Sequence, residues 1–188
     1  MLSEWCYFKQ HFTPEQCRDI IARAKEIPYS DGTVGKEGGF DFDADTRRSK
    51  IRWIRRNSEW ADLFLEIDKL VANANSIHFH VAYNYCNAFQ FTEYDESYLG
   101  QYVEHMDTFI TFPGPHRKLS LSVQLSDPTS YEGGDFEFTK CGQKPNPENI
   151  RTQGTAIIFP SLAYHKVTPV TKGIRYSLVG WYEGPRWR

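Results

Sequence analysis

The chain has 188 residues, of which 40% are hydrophobic, 24% charged and 15% aromatic, with a formal net charge of −2. A single domain is the expectation at this length, large enough to bury a core without disulfide staples. The composition excludes a disordered or collagenous chain. The charge offers no basic excess for a nucleic-acid partner, and no run of 18 apolar residues is present to span a membrane.

Residues Met1 to Cys6 contain neither a basic nor an apolar segment, so no secretory leader is expected. Four cysteines (Cys6, Cys17, Cys86, Cys141) stand far apart without CxxC spacing, which predicts free thiols and a cytoplasmic protein. Thr13-Pro14-Glu15-Gln16 reads as a capping box with proline in the first helical turn. Cys17, Ile20, Ile21 and Ala24 follow at helical spacing, and Pro28 closes the segment. A second amphipathic helix is predicted from near Ser58, its stripe made of Trp60, Leu63, Phe64, Ile67, Leu70, Val71 and Ala74. Both helices read as a layer covering a sheet.

The segment Ser30–Lys50 between them holds Gly32, Gly35, Gly38, Gly39 and four aspartates, too long and glycine-rich for a tight connection. It is predicted to be an irregular, lid-like loop. Asp41-Phe42-Asp43-Ala44-Asp45 lacks the glycine and distal glutamate of a calcium loop and reads as a solvated acidic stretch.

From Ile77 the pattern becomes strand-like: 78–83, 88–94, 119–125, 135–138, 155–159, 165–170 and 174–182. Leu119, Leu121, Val123 and Leu125 alternate strictly with Ser120, Ser122 and Gln124. The small polar face either lines a wet cavity or meets solvent, and alternation does not separate the two. Two helices followed by about eight short strands predict an α+β, β-dominated chain built on a sandwich or barrel. His78 and His80 share a predicted strand face but have no carboxylate in register, so they read as ordinary strand residues. His116 reads as a solvated loop residue. Glu132-Gly133-Gly134-Asp135 reads as a turn that needs glycine for positive φ.

His105-Met106-Asp107 follows a strand-like stretch, Tyr102-Val103-Glu104, and residues i and i+2 of a strand point to one face. His165 opens a later strand. Two histidines and one carboxylate form the ligand set of a non-haem Fe(II) facial triad, which leaves positions open for co-substrate and O₂. His-x-Asp alone is weak, since chance supplies about 0.3–0.4 of them in a chain with six histidines. Arg175 strengthens it. It follows the turn Thr171-Lys172-Gly173, is expected on the adjacent antiparallel strand, and as a buried bidentate donor calls for an anionic partner such as a dicarboxylate.

Together these stretches resemble the 2-oxoglutarate- and Fe(II)-dependent oxygenases of the prolyl 4-hydroxylase type. The likeness is carried in order by His105-Met106-Asp107, by Arg117 to Phe138 and by Gly154 to Tyr182, with Phe12 to Glu15 as the helical entry, and is weakest over residues 28–60. The resemblance implies a double-stranded β-helix (jelly-roll) core over 77–183, with N-terminal helices packed on its major sheet and a lid loop within 1–75. Residue by residue, it implies His105, Asp107 and His165 as Fe(II) ligands and Arg175 as the partner of the distal carboxylate of 2-oxoglutarate, where many prolyl hydroxylases have lysine. It places Tyr94 and Gln124 beside the co-substrate, and Tyr102, Trp181 and Arg117 in the substrate pocket.

The implied activity is hydroxylation of a C–H bond, with prolyl residues of a peptide or protein favoured. O₂ is consumed, 2-oxoglutarate goes to succinate and CO₂, and ascorbate is an optional auxiliary. A free amino acid or small metabolite is the alternative substrate. A non-enzymatic jelly-roll binding module is the alternative class, which loss of a ligand would favour. A cupin-type metalloenzyme would use His-x-His, and His78-Phe79-His80 has that spacing but precedes the matched core. The expected partners are a peptidyl-proline or small-molecule substrate, with no nucleic acid or membrane, in a monomer or weak dimer.

Overall fold

The computed structural model describes residues 3–36, 39–108, 110–111 and 114–187. Strand β1 (Cys6–Phe8) leads to helix α1 (Pro14–Lys25), and the capping box forms as predicted. The Gln16 backbone N–H donates to Thr13 Oγ1, while the Thr13 N–H donates to Gln16 Oε1. Two orphan donors of the first turn are thereby satisfied.

Residues 30–50 are not an irregular loop. They form β2 (Ser30–Asp31), the two-stranded ribbon β3 (Val34–Lys36) and β4 (Gly39–Asp41), and β5 (Arg47–Arg48), and β6 (Lys50–Arg55) follows. Residues 37 and 38 lie outside the described residues. Glycine content misled because sheet edges supply what the local sequence lacks. β2 pairs with β6, β5 pairs with a strand of the other sheet through Arg47↔Tyr102, and the Gly32 N–H donates to the Ser49 carbonyl at 2.8 Å.

After a 3₁₀ turn at Ser58–Trp60, helix α2 (Ala61–Ala74) buries Leu63, Phe64, Ile67, Leu70, Val71 and Ala74, the predicted stripe. Residues 78–83, predicted as a strand, are not one: α2 runs on through a π-turn at Asn75–Phe79, His80 at φ 52° ends it, and residues 81–83 have no regular structure. The reason is Asn75. Its side chain accepts from the Val81 N–H at 2.9 Å and donates to the Val81 carbonyl at 3.1 Å, taking the place of a strand neighbour. His78 consequently sits 3.3 Å from Ser3 Oγ, not on a strand face with His80.

The remaining elements are β7 (Ala88–Asp95), β8 (Gln101–His105), β9 (His116–Gln124), β10 (Tyr131–Gly133), β11 (Phe136–Phe138), a short α3 (Pro147–Arg151), β12 (Ala156–Pro160), β13 (His165–Val167) and β14 (Val170–Gly184). The larger sheet runs β1-β12-β9-β14-β7-β6-β2, with β10 paired to β14, and the smaller runs β11-β13-β8-β5. All these pairings are antiparallel. This is the double-stranded β-helix, β-dominated with helices on the major sheet. The larger sheet begins earlier than the strand pattern predicted, because β1, β2 and β6 precede or separate the helices. His116 opens β9 and is buried, its Nδ1 accepting from the Trp187 N–H, so it is not a solvated loop residue.

The two faces of β9 take opposite roles. Leu119, Leu121, Val123 and Leu125 join Phe89, Phe91, Leu178 and the apolar stripes of α1 and α2 in one core. Ser120, Ser122 and Gln124 turn inward, between the sheets. At the centre of the core Phe64 stacks on Phe89 at 4.2 Å, and both are almost fully buried. Phe64→Ala should therefore lower unfolding stability by about 3–5 kcal/mol, read as a shifted urea midpoint at constant slope. A loss under about 1 kcal/mol would mean that α2 is not held by this contact. All four cysteines are free thiols, and no helix of the described residues is long and apolar enough to cross a membrane.

Candidate active site

Strands β8 and β13 bring the two histidines together. His105 and His165 are direct register partners, with ring centroids 4.3 Å apart. Asp107 lies two residues past the end of β8, so strand alternation alone does not aim it. Its backbone N–H donates to the Ser161 carbonyl at 3.0 Å, and Ser120 Oγ donates to Asp107 Oδ2 at 2.7 Å. Ser120 Oγ is also 2.9 Å from Ser161 Oγ. Ser120 of β9 thus holds the carboxylate directly, and Ser161, just past β12, holds the Asp107 backbone and contacts the Ser120 hydroxyl. Its oxygens stand 3.6 Å from His105 Nε2 and 3.6 Å from His165 Nε2, and the three candidate ligand atoms lie within 4.8 Å of one another.

The imidazole tautomers follow from their partners. His105 Nδ1 is 2.8 Å from the Val103 carbonyl and His165 Nδ1 is 2.9 Å from the Ala163 carbonyl. A carbonyl only accepts, so both Nδ1 atoms carry the proton and both Nε2 lone pairs face the centre. Burial pushes His165 down to about 4, against the opposing pull of Asp107, so its ring is neutral at pH 7. Burial alone would raise Asp107, but His165, His105 and Arg117 outweigh it and hold the carboxyl below the usual carboxylate range. Two imidazole Nε2 atoms and one ionised carboxylate converging on one point suit a divalent cation.

Arg175 stands on β14, and β14 belongs to the larger sheet, whereas β13 belongs to the smaller. The expected adjacency to His165 is therefore wrong: the chain changes sheets at Thr168–Pro169, and the two residues line one cavity from different sheets. Arg175 is 2% exposed. Its Nε donates to Gln124 Oε1 at 3.1 Å and its Nη1 to Ser177 Oγ at 3.4 Å, both neutral acceptors. The predicted glycine turn is what lets it lie there. Gly134, at φ +61°, passes so close that a Cβ would stand 3.0 Å from Arg175 Cδ and 2.8 Å from Val170.

The cavity between the sheets has a volume of about 250 Å³. His105, Asp107, His165, Arg175, Tyr94, Tyr102, Arg117 and Trp181 all line it. Tyr94 is the register partner of Arg175. Tyr102 stacks on the His105 ring at 3.5 Å. Arg117 donates to the Asp107 carbonyl at 3.2 Å and lies 3.9 Å over the Trp181 ring. Gln124 lines a neighbouring cavity of about 570 Å³ and reaches the site through Arg175, donating also to Tyr131 Oη at 2.8 Å.

Sequence reading did not single out Arg47, Gln90, Phe136, Phe159 or Ser161. Arg47 sat inside the presumed loop. Phe136 and Phe159 flank His165 at 5.4 and 4.8 Å between ring centroids, but look like core in any strand pattern. The polar alternation of β9 did contain the signal for Ser120.

A sequence model of the 2OG-Fe(II) oxygenase superfamily matches residues 89–183. A PKHD-type hydroxylase of Synechococcus sp. (strain CC9311) is 39% identical over 84 residues, 45% of this chain and 37% of that protein. The chain thus spans well under half the length of the curated relatives it matches. Among solved structures, a Pseudomonas putida prolyl-4-hydroxylase superposes with a TM-score of 0.74 at 17% identity, covering 97% of this chain and 93% of that one. A Trichoplax adhaerens prolyl hydroxylase, solved with a hypoxia inducible factor peptide fragment, gives 0.75 at 16% identity over 96% and 84%. The fold is shared with both solved structures, and the family model covers the three converging side chains, Arg175 and the strands that carry them: the chain belongs to the 2OG-Fe(II) oxygenase superfamily.

Proposed function

We propose that the protein is a 2-oxoglutarate- and Fe(II)-dependent dioxygenase that hydroxylates a C–H bond. The observation that carries this reading is the convergence of two Nε2 atoms and the Asp107 carboxylate in the same cavity as the buried guanidinium of Arg175, which has no carboxylate partner among the described residues. His105, Asp107 and His165 would hold Fe(II), and Arg175 would pair with the distal carboxylate of 2-oxoglutarate. The bound metal and co-substrate supply the oxidising power: one O₂ and one 2-oxoglutarate are consumed, the C–H becomes C–OH, and succinate and CO₂ leave.

The chain's own groups do the rest. The Val103 and Ala163 carbonyls keep both imidazoles aimed, and Ser120 orients the carboxylate. Phe136 and Phe159 keep the His165 side dry. The segment 30–50 bridges the edges of both sheets beside the cavity, where Thr33 and Arg47 line it, and we read it as the cover over bound substrate.

For the substrate, the names of the relatives favour a prolyl residue in a peptide or protein. The test is succinate release by the purified protein with Fe(II), 2-oxoglutarate and air, first alone and then with proline-containing peptides. The expected result is slow substrate-free decarboxylation abolished by chelator and accelerated by substrate. No succinate under any of these conditions would overturn the reading. A further expectation concerns Ser120, fully buried on β9. Ser120→Ala should weaken Fe(II) binding by about 10–100-fold while leaving the fold intact. Unchanged affinity would mean that Asp107 is positioned without it.

A further inference from the structure

Arg47 has the same signature as Arg175, in the same cavity, and nothing in the reaction uses it. It is 5% exposed. Three of its five N–H donors are spent on neutral acceptors: Nε on Ser49 Oγ at 2.8 Å, Nη1 on the Thr33 carbonyl at 3.2 Å, and Nη2 on Gln90 Oε1 at 2.6 Å. One donor remains on each terminal nitrogen, and among the described residues no carboxylate pairs with it. Its guanidinium lies 4.7 Å from the ring of Tyr102, which in turn stacks on His105. The β2–β3 connection is shaped around this side chain, since a Cβ on Gly32 would stand 2.3 Å from Ser49 Oγ and 2.7 Å from Arg47 Nε.

Among the described residues, three arginines (Arg47, Arg117, Arg175) and one carboxylate, Asp107, line the cavity. Fe(II) and the dianion of 2-oxoglutarate cancel each other, so loading the site leaves the cationic excess where it was. Arg117 has Asp107 and Glu183 as attracting neighbours and Arg175 would have the co-substrate, which leaves Arg47. A buried cation left without a counter-charge is costly. The indole N–H of Trp181, another wall residue, is buried and has no acceptor among the described residues.

Building on the proposed activity, we infer that the primary substrate carries a carboxylate and that Arg47 receives it. The substrate is then an amino acid, an N-acylated amino acid or the C-terminal residue of a peptide, and an internal prolyl residue with neutral neighbours is a poor fit. Arg47 is a specificity-determining residue in this account, and it stands apart from the metal ligands.

The test compares matched acids and amides. Full-length protein loaded with Mn(II) and 2-oxoglutarate is titrated calorimetrically with a panel of N-acetyl amino acids, N-acetylproline included, and with the corresponding N-acetyl amino-acid amides. At least one acid should bind about 10-fold or more tightly than its amide, because a charge-assisted hydrogen bond exceeds a neutral one by that much. Arg47→Gln should bring that ratio close to one, and Arg47→Lys should retain part of it. The inference is overturned if no pair in the panel shows an acid preference, or if the preference persists unchanged in Arg47→Gln. Substrate-free succinate release by the wild-type protein is measured in parallel. Its absence would count against the dioxygenase reading alone, and an acid preference lost with Arg47 would still assign the anion site.

Discussion

Arg175→Ala should raise the 2-oxoglutarate concentration needed for half-saturation by about two to three decades, with Fe(II) binding retained. The magnitude follows from burial. Arg175 is 2% exposed and among the described residues donates to Gln124 and Ser177, both neutral, so the distal carboxylate of the co-substrate would be its full counter-charge. Removing one partner of a buried charge pair costs roughly 3–5 kcal/mol, and about 1.4 kcal/mol is one decade of affinity. Arg175→Lys keeps the charge and loses the fork, so its loss should be smaller. Equilibrium titration of 2-oxoglutarate into each metal-loaded variant gives the numbers. A twofold change or less in Arg175→Ala would place the dicarboxylate elsewhere.

Asp107→Ala should abolish succinate release and weaken Fe(II) binding by well over 100-fold. Groups that merely orient a ligand are worth about 10–100-fold, and Asp107 is proposed to be the ligand itself, the single anionic one. The substitution also frees the Ser120 hydroxyl from the carboxylate to which it donates. Asp107→Asn keeps the shape and removes the charge, so it separates the two effects. Near-normal turnover in the asparagine variant would show that the charge is not what the metal needs. Far-ultraviolet circular dichroism should be unchanged in both, because Asp107 lies outside the strands.

What was legible in the sequence divides along physical lines. Helix α1 was readable because a capping box is a local code, and α2 because its stripe has an unambiguous period. The inward face of β9 was visible as alternation, but its direction needed the helices to be placed on the leucine side. The ligand residues were identifiable from His-x-Asp, His165 and the family likeness. Their convergence was not, since it depends on the His105↔His165 register and on the Ser161 carbonyl, across 54 or more residues of chain in the case of Asp107. Residues 78–83 misled because an asparagine side chain closed the backbone locally. Arg47 was hidden for the opposite reason: its segment gains structure from distant sheet edges, so a glycine-rich stretch concealed a buried guanidinium.

The central claim is that one cavity holds Fe(II) on His105, Asp107 and His165 with 2-oxoglutarate anchored to Arg175. Its most direct test is an anaerobic titration of 2-oxoglutarate into the Fe(II)-loaded protein, following the visible metal-to-ligand charge-transfer absorption. The account predicts a band that saturates at one equivalent, is missing in Asp107→Ala and needs about two to three decades more 2-oxoglutarate in Arg175→Ala. Absence of the band in the wild-type protein, or an identical titration curve in Arg175→Ala, would contradict it.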